Sequence, residues 1–120
     1  MSLNEKRFEE VKNIIQKTLQ KVDSKQIDID NLKIEDLGKT RVILDKALIR
    51  TKKMKNKELE ISVCSILQLV FFLIERTESA WELSYESLRD FPEEPLILET
   101  KKTLLKWKEE DCEYYKNLYK

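Results

Sequence analysis

With 120 residues, one glycine and two prolines, the chain is long enough for one hydrophobic core and too poor in turn residues for many short strands. Its 23 basic and 23 acidic side chains cancel, so net charge singles out neither nucleic acid nor an acidic substrate as a partner. The absence of histidine removes serine and cysteine triads, as well as the Glu-x-x-His pairs of carboxylate-bridged di-iron sites.

Ser2 and Glu5 have capping-box spacing and start a first helix near Leu3. Phe8, Val11, Ile15, Leu19 and Val22 follow at helical spacing, widened by Ile14, and carry it over about 3–22 to a stop at Asp23-Ser24. Residues 23–30 read as a polar linker in which only Ile27 and Ile29 are apolar, and Asp28 or Asp30 can cap the next helix.

A second helix is expected over about 31–55, with Leu37, Thr40, Leu44, Ala47, Leu48, Thr51 and Met54 inward. Gly38 inside this pattern costs about 1 kcal/mol against alanine and marks a kink or a late helix start. Val42 and Ile49 lie off the core face. Lys39, Lys46, Arg50, Lys53 and Lys57 recur on one side, with Lys52 and Lys55 adjacent.

From 57 to 90 the pattern reads as one long third helix. Leu59, Val63, Ile66, Val70, Leu73, Ile74, Thr77, Trp81, Ser84, Tyr85 and Leu88 share a face along its whole length. The opposite side is acidic in the second half, with Glu75, Glu78, Glu82 and Glu86. In the first half that side is apolar, with Ile61, Cys64, Leu69, Phe71 and Phe72. A helix apolar all round is normally buried all round, whereas each helix of a four-helix bundle keeps an outer face in water. The run Ile61–Ile74 holds Gln68 and falls short of the ~20 residues needed to cross a bilayer. Its cover must therefore be the linker, a second copy or another protein. Large apolar patches usually mark contacts, so Ile61, Leu69, Phe71 and Phe72 are read as a protein interface, most simply that of a homodimer. On that reading Phe72→Glu or Ile61→Glu gives a folded monomer.

Phe91-Pro92 ends this helix, and Pro95 suits the first turn of a fourth over about 95–119. Leu98, Leu105, Cys112 and Tyr119 repeat every seven residues there, flanked by Ile97, Leu104, Tyr115 and Leu118. Hairpin register sets Lys108 level with Glu78 and Lys101 near Glu86, as ion pairs. Trp107, Tyr114, Tyr115 and Tyr119 make an aromatic-rich end that suits an interface or the close of a bundle. The expected architecture is a single all-α domain over 1–120, an antiparallel up-down-up-down four-helix bundle with a long third helix.

Three chemistries compete on this frame. The acidic ladder resembles one half of the paired-carboxylate magnesium site of all-helical nucleotide pyrophosphohydrolases. That resemblance implies a magnesium-dependent pyrophosphohydrolase, but the nearest second pair, Glu110 and Glu113, points away from the core face and the ladder. Lys46, Arg50, Lys53 and Lys57 could follow a phosphate backbone, which makes sequence-blind nucleic-acid association the alternative. Basic residues are concentrated in 1–57, with 15 against 9 acidic, and acidic ones in 58–99, with 10 against 2 basic. Cys64 and Cys112 lie too far apart along the hairpin for a disulfide, sit in apolar surroundings by pattern and lack an activating base. Free thiols and the absence of a basic-then-apolar leader point to the cytoplasm. The resulting expectation is a non-catalytic protein-protein interaction domain without metal or cofactor: a regulator, an adaptor or a small subunit of an assembly.

Overall fold

The computed structural model describes residues 2–22, 25 and 27–119. Among them are five α-helices and no strand: α1 (Leu3–Lys21), α2 (Leu37–Lys53), α3 (Lys57–Leu73), α4 (Thr77–Asp90) and α5 (Pro95–Leu118). The all-helical class is as expected, and no described helix is long and apolar enough to cross a membrane. The four-helix count is not. The single helix expected over 57–90 is two helices, broken at Ile74-Glu75-Arg76.

Backbone hydrogen bonds explain the break. The Glu75 N–H donates to the Phe72 carbonyl at 3.1 Å and the Arg76 N–H to the Phe71 carbonyl at 2.8 Å, with Glu75 at φ 65°. This is a left-handed helix C-cap, a position normally held by glycine. The end of α2 repeats it: Lys55 has φ 54°, and the Asn56 N–H reaches the Thr51 carbonyl at 3.0 Å. Asn56 Oδ1 then accepts from the Leu59 N–H at 3.3 Å and opens α3.

The break lets α4 fold back along α3. Gln68 Nε2 donates to Ser87 Oγ at 3.2 Å across the pair. The buried face of α4 is Ala80, Leu83, Ser84 and Ser87, mostly small side chains that let the two backbones approach. Of the residues expected on the core side of one continuous helix, Tyr85 is rotated off it at 69% exposure, while Trp81 is half-buried against the core. With α4 in place, α3 packs against all four other helices. Every residue from Val63 to Val70 is buried. The all-round apolar belt is thus sealed by its own chain.

The helix order also differs from up-down-up-down. Asn4 Nδ2 donates to the Leu73 carbonyl at 3.3 Å, so α1 starts beside the end of α3 and runs against it. The linker returns along α1: Gln16 Nε2 donates to the Ile29 carbonyl at 2.8 Å. Asn31 to Glu35 share a cleft with Glu5, Phe8, Glu9 and Lys12 of α1. Hence α1 and α2 run in the same direction, both antiparallel to α3. Ile27 and Ile29 pack on the core and Leu32 is fully buried, so the linker covers α1.

Element ends follow local chemistry. Ser2 Oγ accepts from the Glu5 N–H at 3.2 Å and starts α1 as expected. The stop expected at Asp23-Ser24 lies outside the described residues; α1 ends at Lys21, capped by Val22. α2 begins at Leu37 instead of Asn31, after two single 3-10 turns at Ile29–Asn31 and Ile34–Asp36. Asp36 Oδ2 holds the second by accepting from the Lys33 N–H at 2.9 Å. Gly38, exposed and without neighbours, marks this late start. Pro95 occupies the first turn of α5.

Candidate functional site

The four side chains read as an interface do not form one surface. Leu69 and Phe72 are buried, Ile61 and Phe71 half-buried against the core. The Phe72 ring lies 5.5 Å from the Trp107 ring of α5 and beneath the Arg7 guanidinium of α1 at 5.4 Å. What hides them is the rest of the chain.

Arg7 organises this end of the molecule. Its side chain is 4% exposed. Nη2 donates to the Trp107 carbonyl at 2.8 Å and to Asp111 Oδ1 at 2.9 Å, with Glu110 Oε1 at 3.4 Å; Nη1 donates to Asn4 Oδ1 at 3.0 Å. A buried cation is costly unless paired and hydrogen-bonded. Here two carboxylates, a carbonyl and the faces of Phe72 and Trp107 all meet it. The cluster ties α1 to α5 at the level where α3 ends.

Beyond that level α5 leaves the bundle. Trp107 is its last buried residue, and from Lys108 to Tyr119 only Glu110 and Asp111 are even half-buried. Tyr114, Tyr115 and Leu118 are 57–58% exposed and Tyr119 is 83% exposed. The cause is topological: α3 stops at Leu73, and only the first turns of α1 and α4 lie beside this part of α5.

A cleft of about 670 Å³ opens where α5 passes the start of α4, floored by Phe72, Trp81 and Cys112 and walled by Tyr115 and Tyr119. Lys108 Nζ sits 5.5 Å from the centroid of the Trp81 ring. That contact replaces the expected ion pair with Glu78. Among the described residues Lys108 and Lys101 make no ion pair, and Glu75, Glu78, Glu82 and Glu86 are all exposed. Glu110 turns toward Arg7.

The seven-residue repeat of α5 lies beside the core face, not on it. Ile97, Thr100, Leu104 and Trp107 face inward, while Leu98 and Leu105 are each 40% exposed and Cys112 is exposed. Cys112 therefore opens to solvent in the cleft and is not buried. Cys64 is: burial pushes its thiol up to about 11 from 9.0.

At the opposite end, Lys46, Arg50, Lys53 and Lys57 are exposed around the α2–α3 turn, with Lys52 and Lys55. None of them takes part in an ion pair among the described residues; on α2 only Arg41 does, with Asp45 at 2.8 Å. These four cations thus form a solvated group distinct from the aromatic end.

Sequence reasoning missed Arg7 altogether. One arginine on an amphipathic helix carries no mark of burial. Its only signal was position, on the Phe8-Val11 side of α1. A scan against protein-family models, a search of curated proteins and a search of solved structures each gave no match.

Proposed function

We propose that this chain is a non-catalytic protein-protein interaction domain that works through the projecting end of α5 and the cleft beside it. The observation that carries the reading is the exposure of Tyr114, Tyr115, Leu118 and Tyr119 on a helix that has outrun its neighbours. Tyrosine supplies large contact area at low entropic cost and is enriched where interfaces concentrate their energy. Phe72 and Trp81 in the cleft floor add an apolar pocket for an inserted side chain. The two unpaired cysteines suit a reducing compartment, which supports a cytoplasmic location. A photo-crosslinking residue at Tyr115, tested in the native cell, should give an adduct of defined mass. The same residue at Lys46 should give none. Equal labelling at both positions, or none at Tyr115, overturns the proposal.

Nucleic-acid association is the second reading, supported by Lys46, Arg50, Lys53 and Lys57 standing exposed without an ion pair among the described residues. It predicts a mobility shift at low salt that disappears when Arg50 and Lys53 are changed to glutamate. No shift at about 50 mM salt removes it.

A further inference from the structure

Resting on the interaction reading, we infer that the partner of α5 is α5 of a second copy, laid against it antiparallel. Leu98, Leu105, Cys112 and Tyr119 repeat every seven residues on the exposed side of this one helix. Single exposed leucines are ordinary. A seven-residue series along most of a helix is the spacing by which two helices meet edge to edge. The interleaved positions are Lys101, Lys108 and Tyr115, whose long stems and ring can cover the seam.

Charge settles the direction. Around the middle of α5, exposed Lys102, Lys106 and Lys108 precede exposed Glu109 and Glu113, with exposed Glu99 and Lys116 flanking them on either side. Parallel pairing would set like charges side by side. Antiparallel pairing about a two-fold axis beside Lys106 brings Lys102 of each copy opposite Glu109 of the other, twice by symmetry. Leu98 then meets Tyr115 and Lys101 meets Cys112. An exchanging pair of identical surfaces is self-complementary, as a closed dimer requires.

This register has a chemical signature. Lys101 and Cys112 are separated by about 16 Å on one helix, too far for a disulfide within a chain. Across the two-fold axis they are neighbours. Purified Lys101→Cys protein, mildly oxidised, should therefore run as a disulfide-linked dimer. The wild type, whose two Cys112 thiols lie about 16 Å apart in the pair, should not. By light scattering the wild type should have twice 14.4 kDa, and Leu105→Lys, which faces Lys108 of the other copy, should return it to 14.4 kDa with an unchanged helical melting curve. Lys102→Glu should weaken the dimer about tenfold, and adding Glu109→Lys should restore it. A wild type of 14.4 kDa at every concentration, or a dimer indifferent to Leu105→Lys, overturns the inference. An adduct at Tyr115 with a different protein, seen together with a monomeric chain, removes the second copy and leaves the interaction reading standing. Loss of the adduct as well removes both.

Discussion

Two stretches of this chain, Val63–Leu73 in α3 and Lys108–Tyr119 in α5, carry large apolar or aromatic side chains on more than one side, and they meet opposite fates. The first is sealed, with Phe72 at 3% exposure; the second is bare, with Tyr119 at 83%. Composition separates them in part, since Lys108–Tyr119 holds six charged side chains and Val63–Leu73 none. The number of helices alongside separates them further. α3 has four neighbours because α4 doubles back over it, whereas the last turns of α5 run past the end of α3 and meet only the first turns of α1 and α4. The contrast teaches that an all-round apolar helix first asks for cover from its own chain. A contact surface is better sought where an amphipathic helix outlasts its supports.

The contrast is broken most strongly by placing one charge in each region. Phe72→Glu puts a carboxylate between Trp107 and α3 and should cost more than about 4 kcal/mol, enough to unfold the domain in mild urea. The sequence alone led to the opposite expectation, a folded monomer. Tyr115→Glu should move the urea midpoint by less than about 0.5 kcal/mol. Next in size is Arg7→Met, which removes the cation joining the two regions. It should cost roughly 2–3 kcal/mol, at the lower edge for a broken buried pair because Asp111 and Glu110 are partly exposed and can rehydrate.

The turn that creates the fifth helix can be sharpened instead. Glu75→Gly removes the cost of a left-handed glutamate and should raise stability by about 1 kcal/mol, and Lys55→Gly should do the same at the α2–α3 turn. Smallest is the thiol contrast. Cys112 should react with a thiol reagent in the folded protein at neutral pH, and Cys64 only after denaturation. Because the folded-state pKa of Cys64 is raised, its contribution is complete below about 9 and is lost as pH rises toward about 11. Stability should decline over that window, and less steeply in Cys64→Ala.

How far the sequence carried this picture depends on which kind of signal each feature left. Ser2 and Pro95 announced their helix starts through capping and proline chemistry, and both starts are where that chemistry puts them. Gly38 pointed to a kink or a late start, and α2 begins beside it at Leu37. The break at Ile74-Glu75-Arg76 was invisible because its left-handed residue is glutamate, with no glycine or proline nearby to mark it. A subtler trace existed: Ala80, Leu83 and Ser87 lie in a phase of their own, off the face shared by Trp81, Ser84, Tyr85 and Leu88. Two competing phases within 57–90 are what two helices look like when read as one. The missed break shaped the interface expectation, since without α4 folded back nothing seemed available to cover Leu69 and Phe72. The aromatic end of α5 was legible as composition, but its exposure depends on where α3 and α4 stop, and only the fold supplies that.

The claim everything else leans on is that 57–90 is a hairpin and not a rod. Spin labels on exposed Glu58 and Arg89 read this directly by dipolar spectroscopy in dilute solution. Packed helices predict a label separation of roughly 10–20 Å. A distance near 46 Å, the length of about 31 residues of unbroken helix, would contradict the account and return the apolar belt of α3 to solvent or to a partner.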